Sequence, residues 1–175
     1  GDLLTGVASG DIRPALVLDG IGLREGKLYG TAEFVPDAAG ADRLLIVADG
    51  VVIEATGLTV TPQPVVDETR NMATVSADGQ PSTVLGPVDV QVLRDRAAVA
   101  VACDSLGLAQ AMLDATVSYV KVRNQFGRPI GSFQAVKHAC ADMLVSLAVS
   151  RQLVGAAVEA VAGGTGDAGT ATAMA

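Results

Sequence analysis

The spacing of apolar residues changes once along this chain, at Gly86 and Pro87, and that change limits what each part can fold into. Before it the apolar runs are of strand length: "KLYGTAEFV" (27–35), "RLLIVA" (43–48), "VVIEA" (51–55) and "LTVT" (58–61). Gly20, Gly22, Gly26, Gly30, Gly40, Gly50 and Gly57 punctuate them, and the glycines between 20 and 30 read as turns. "ADG" occurs at 48–50 and again at 77–79, and Asp-Gly between alternating runs is a hairpin-turn signal. Short strands at near-regular spacing predict a compact antiparallel sandwich or barrel.

Beyond Pro87 the period becomes helical. Val99, Cys103, Leu106, Leu113, Val117 and Val120 recur mostly at three- and four-residue steps, which places them on one face of a long helix. A second helix is predicted over 132–162, with Ser132 as N-cap and Gly163 and Gly164 as the stop. Its apolar stripe is Phe133, Val136, Cys140, Met143, Leu147, Val154, Val158 and Val161. The tail after them is rich in Gly, Thr and Ala and reads as a loop leading to a further helix. Two such helices on a short connection form an antiparallel hairpin with one apolar side uncovered. The fold class is therefore α+β: a β-sandwich or barrel, then the long antiparallel helices of an incomplete bundle.

Half the residues are hydrophobic, but only 3% are aromatic and none is Trp, so the expected core is Val, Leu and Ala. The longest charge-free run, 55–66, is interrupted by Pro62 and Pro64 and falls short of the roughly 20 apolar residues of a membrane span. No signal-peptide pattern opens the sequence. Cys103 and Cys140 are too few for a disulfide framework and read as small core residues in a reducing, cytoplasmic compartment. One His and two distant Cys support no metal site. A net charge of −7 argues against nucleic acid as partner, which needs a basic face.

Against that acidity, "VRNQFGRPIGSFQAVKHAC" (122–140) holds Arg123, Arg128 and Lys137 and no acid. Gly127 and Pro129 break the first helix there, and the N-terminus of the next helix favours an anion. Arginine suits bidentate contact with phosphate. Arg123 and Arg128 are thus candidates for a phosphate or pyrophosphate, Gln125 and Gln134 for the polar edges of a ring or ribose. Phe126 and Phe133 add flat apolar surface. The alternative is a solvated turn whose cations complement the helix dipole.

The stretch "RNQFGRPIGSFQAVKHACADM" resembles the signature of the acyl-CoA dehydrogenases, flavoenzymes that desaturate acyl-CoA thioesters between Cα and Cβ. "GLREGKLYGTAEFVPDAAGADRLLIVAD", closing on Ala41 and Asp42, is similar to the family's β-domain, and "DETR" (67–70) falls before its last strands. "LGLAQAMLDATVSYVKVRNQFG" is similar to the helix that leads into the signature. The resemblance implies three regions: 1–14 as the end of an N-terminal helical part, 15–86 as the β-domain, and 87–175 as the start of a C-terminal helical bundle. It implies FAD as cofactor and acyl-CoA as substrate. It also implies a homo- or hetero-oligomer, dimer or tetramer, formed through the helices. Arg123 takes the position of the family's arginine on the FAD pyrophosphate, usually of a neighbouring subunit. Gln125 is the next polar contact, Phe126 packs near the cofactor, and Gln134 lies toward the adenosine.

Three departures from the family qualify what the resemblance implies. The flavin-cradling loop, with its Glu-Pro and Gly-Ser-Asp, is replaced by the shorter "ALVLDGIGLREGK". Asp95 matches a helix Asp near the family's substrate, but the Arg three residues on is Ala98. No Glu occurs between Glu68 and Glu159, so the catalytic base is expected beyond these residues, with Asp95 a poor substitute. Two further readings follow: a non-catalytic partner subunit lending FAD contacts across an interface, or a ligand-free helical dimerisation module.

Overall fold

Two-residue turns with both residues left-handed shape the first part of the chain. In the computed structural model, residues 2–164 are described, with Gly169, Ala171 and Ala173; the expected loop after Gly164 otherwise lies outside the described residues. The chain divides into a unit spanning Gly1–Val90 and a unit spanning Gln91–Ala175. The first holds helix α1 (Asp2–Ser9) and strands β1 (Pro14–Val17), β2 (Ile21–Arg24), β3 (Lys27–Pro36), β4 (Arg43–Ala48), β5 (Val51–Ala55), β6 (Thr59–Gln63) and β7 (Met72–Pro87). Glu25 and Gly26 (φ 50° and 75°) join β2 to β3, and Asp49 and Gly50 (φ 49° and 75°) join β4 to β5. Both are turns whose twist matches that of the strands they join.

The strand order is β1-β4-β5-β7-β3-β2, with β6 also on β7. Met72–Ser76 of β7 lies between β3 and β6, whereas Ser82–Pro87 pairs with β5. One long strand therefore belongs to two sheets. The second Asp-Gly sits inside this strand: Gly79 (φ 81°) is skipped in the register between Asp78 and Gln80, so it forms a bulge and not the expected turn. Ala73, Val75 and Ala77 point inward from β7 at period two, toward Leu28, Ala32, Val35, Ile46 and Ile53. That core is built from Ala, Val and Ile with one fully buried Leu.

One strand pair departs from the expected antiparallel pattern: β1 runs parallel to β4. The cause is a reciprocal clamp at its start. Asp42 N–H donates to the Arg13 carbonyl at 2.9 Å, and Arg13 N–H donates to the Asp42 carboxylate at 2.9 Å. The two strands are thereby pinned side by side before their ladder begins at Pro14 and Arg43. The glycine-rich stretch read as turns supplies β2. At 67–70 the expected local turn forms: Asp67 accepts from the Thr69 N–H (2.9 Å) and hydroxyl (2.6 Å), and Arg70 approaches to 3.6 Å.

The second unit holds α2 (Val90–Val122), β8 (Asn124–Gln125), β9 (Arg128–Pro129), a 3₁₀ turn (Ile130–Ser132) and α3 (Gln134–Gly163). Gly164 (φ 60°) stops α3, its N–H reaching the Ala160 and Val161 carbonyls. The helices are antiparallel: Val120 lies by Val136, and Gln110 accepts a 2.6 Å bond from Arg151 further along α3. Val99 and Leu113 of α2 and Leu147, Val154 and Ala157 of α3 are buried. Met143 and Val158 of the expected stripe are 41% exposed. Cys103 is exposed and Cys140 half-buried, contrary to the core reading, because this face is covered only in part within the unit. By length and composition both helices are apolar enough to cross a membrane. Asp104 and Asp114 fall in the middle of α2, however, and each would cost about 3 kcal/mol in lipid, which favours cover by protein.

Gly131 fixes how the connection folds back on α2. A Cβ there would stand 2.9 Å from the Val120 carbonyl oxygen, a backbone atom that cannot swing away. Gly131→Ala should destabilise the helical unit by about 1–3 kcal/mol, read as a lower urea midpoint of the helical signal. In the β unit, the Arg13 N–H and then the Arg13 guanidinium hold the Asp42 carboxyl below its ordinary pKa of 3.8. A depressed folded pKa stabilises fully above the unfolded value, and the contribution is lost as pH falls through the folded one. Asp42→Asn should therefore melt below wild type at neutral pH, and the two melting curves should converge as pH drops beneath 3.8.

Candidate functional site

The acid-free stretch folds into a small hairpin set between the two long helices. The last bond of α2 runs from Arg123 N–H to the Tyr119 carbonyl (2.9 Å), and the Arg123 carbonyl then accepts from Ile130 N–H (2.8 Å). Between these, Asn124 pairs with Pro129 and Gln125 with Arg128. The reversal falls on Phe126 (φ 53°) and Gly127 (φ 78°). A left-handed non-glycine residue costs about 1–3 kcal/mol and persists only where its surroundings hold it. Here the Phe126 ring, 90% exposed to solvent, meets the half-buried Phe133 edge-on, at 6.1 Å between centroids and 88° between planes. The Arg128 guanidinium carbon lies 4.1 Å from the Phe133 ring centre.

Ser132 does not cap α3 as expected. It closes the 3₁₀ turn with its hydroxyl buried and without a partner, and the N-cap position falls to Phe133. The extended backbone at Phe133 (φ −75°, ψ 135°) delays the helix to Gln134, and a phenyl ring offers no acceptor. Amides of the first turn of α3 are thus left without a side-chain cap, which is the condition for holding an anion there.

Of the predicted residues, the structure gathers Arg123, Gln125 and Phe126 on the hairpin, with Gln134 opening the helix that follows. All four are exposed, as are Arg128 and His138. Among the described residues no carboxylate forms an ion pair with Arg123 or Arg128. Uncapped amides, the Arg123 guanidinium and two side-chain amides are the donor types that a pyrophosphate with a polar heterocycle requires. Asp95 is not part of this site. It bonds the Gln91 amide at 2.8 Å, and 28 residues of helix, about 42 Å at 1.5 Å per residue, separate it from Arg123.

Sequence reasoning missed a second feature, in the β unit. Residues 16–20 and 31–36 line an open groove of about 560 Å³. Phe34 stands in it 63% exposed, at a bulge of β3 where its φ is 55°. The Gln63 side chain accepts the Phe34 N–H at 2.9 Å and so fixes the bulge. The one available signal was that Phe34 is one of only three Phe in the chain.

Comparison with known proteins places these features in a family. Residues 91–175 match the pattern of the acyl-CoA dehydrogenase C-terminal domain. The chain is 44% identical over 137 residues to acyl-CoA dehydrogenase IpdE2 of Mycolicibacterium smegmatis, covering 75% of this chain and 42% of that protein. It is 34% identical over 157 residues to acyl-CoA dehydrogenase IpdE2 of Mycobacterium tuberculosis, covering 90% and 44%. Among solved structures, the Tcur3481-Tcur3483 steroid ACAD G363A variant is similar with a TM-score of 0.85 at 30% identity, over 98% of this chain and 53% of that one. Butyryl-CoA dehydrogenase from Megasphaera elsdenii shares the fold, at a TM-score of 0.82 and 20% identity over 99% of this chain and 55% of its own. The chain spans less than half the length of the two curated relatives. The chain belongs to the acyl-CoA dehydrogenase family.

Proposed function

We propose that this chain works in an FAD-dependent acyl-CoA dehydrogenase, with its α2–α3 hairpin holding the cofactor. FAD, when bound, accepts the hydride removed as the thioester is desaturated between Cα and Cβ. The observation that carries the reading is an exposed Arg123 at the end of α2 whose backbone bonds Ile130, in the turn that leads to the uncapped start of α3, with no carboxylate paired to it among the described residues. Arg123 would pair with the pyrophosphate, Gln125 would add an amide contact, Phe126 would lay apolar surface against the cofactor, and Gln134 would reach the adenosine side. The hairpin carries no carboxylate, so it binds and orients but does not abstract the α-proton. The named relatives include a steroid ACAD, which favours a lipid or sterol-derived acyl group as substrate; we place the chain in a cytoplasmic oligomer on the family resemblance and on its two free cysteines.

A second reading has its own support. The replaced flavin loop, Ala98 in the place of an arginine, and a related structure whose name joins two designations favour a heteromeric enzyme. In it this chain would lend Arg123 and Gln134 to FAD held mainly by another subunit. The visible spectrum of the purified protein, alone and after co-expression with candidate partners, separates the two readings. Under either, Arg123→Gln should weaken FAD binding about ten- to hundredfold, since a charge-assisted bond is worth about 1.5–3 kcal/mol, and Arg123→Lys should recover part of the loss. Flavin content unchanged by Arg123→Gln would remove the hairpin from the cofactor site.

A further inference from the structure

We infer that Arg128 is a positioning residue: stacked on Phe133, it holds the hairpin in the shape that presents Arg123 and Gln125, and it is not itself a phosphate ligand. The inference rests on the reading of this hairpin as a cofactor site. By residue type Arg123 and Arg128 are both candidates for the same anion, and the resemblance singles out Arg123 while giving Arg128 no role. The structure separates them. The Arg128 guanidinium carbon is 4.1 Å from the Phe133 ring centre, within the roughly 6 Å reach of a cation–π contact. Arg123 makes no such ring contact among the described residues, and its backbone closes the hairpin through Ile130.

Phe133 is the joint of this arrangement. Its ring takes Arg128 from β9 and the Phe126 ring from the reversal, while its backbone caps α3 and bonds the Ile130 carbonyl at 3.1 Å. Arg128 is also the register partner of Gln125. Fixing Arg128 on the ring therefore fixes the strand that carries Gln125 and supports a left-handed Phe126 that has no glycine freedom of its own. A cation used this way orders the donors around it without spending its charge on the ligand.

The test is a double-mutant cycle of Arg128→Gln, Phe133→Leu and both together, read by FAD titration of the purified protein at low and high salt. Amide exchange at Ile130 N–H is the second readout. A positioning role predicts that each single change weakens FAD binding about two- to fivefold, the worth of one exposed cation–π contact. It also predicts that the double variant is no worse than the singles, that the salt dependence of binding is unaltered, and that exchange at Ile130 speeds up in all three. The inference is overturned if Arg128→Gln flattens the salt dependence while Phe133→Leu leaves affinity and exchange as in wild type, for then Arg128 is a direct phosphate ligand. Should wild type bind no FAD in any state of assembly, the cofactor reading fails, and so does the presentation role that rests on it. Exchange at Ile130 would still report whether the Arg128–Phe133 stack holds the hairpin.

Discussion

The contact on which the shape of the α2–α3 connection depends is the one between the Phe126 and Phe133 rings. Left to itself, a phenylalanine avoids the left-handed region by about 1–3 kcal/mol, and the chain leaving α2 would stay irregular. An edge-to-face pair is worth roughly 0.5–1.5 kcal/mol beyond its buried area, the same order as that penalty. Add the Arg128 stack and the Ile130 to Arg123 bond, and the reversal becomes the favoured state. A loop that would otherwise sample many shapes is thus a preformed platform whose outward side chains are Arg123, Gln125 and Phe126. Preorganisation matters here because every one of those side chains is exposed and would lose rotamer freedom on meeting a ligand.

The β unit solves a different problem with few aromatics. Ala, Val and Ile fill less space per residue than Phe or Trp, so the layers must come close. Gly30 (φ 127°) serves the β2–β3 pair instead: a Cβ there would stand 2.2 Å from the Gly20 carbonyl oxygen, just before β2. The bulge at Gly79 lets β7 turn from the β3–β6 side to the β5 side without ending, so one strand ties both sheets to one core. The same device appears at Phe34, where a bulge rotates a large ring outward into the groove and not into the core. Bulges in this unit thus serve both closure and display.

What the sequence made legible follows from how local each signal is. Strands β4 and β5 were read to the residue, because alternation and an Asp-Gly turn are complete within six or so positions. The switch to long helices after Pro87 and the Gly164 stop were equally local. The parallel β1–β4 pair was not legible, since it depends on Asp42 meeting an arginine 29 positions away. Nor was β7: "ADG" reads the same whether the chain reverses or bulges, and only the partner strands decide. In the site, the residue types and their order were visible, but the hairpin was not. Its turn uses Phe at a position where Asn, Asp or Gly is the usual signal, and the ring packing that permits this is tertiary. Ser132 looked like a cap for the same reason: its type was right, but the 3₁₀ turn moved the helix start past it.

The length of α2 carries the last consequence. Asp95 lies in the second turn of α2, and Arg123 follows its last residue, Val122. One continuous helix of about 42 Å separates them and cannot bend to bring them together. No compact pocket reaches both ends. Along the way α2 leaves Val101, Leu108, Met112 and Tyr119 exposed. Those exposed apolar residues lie along the same stretch of α2 that separates Asp95 from the hairpin, so the helix carries uncovered apolar surface between its two ends.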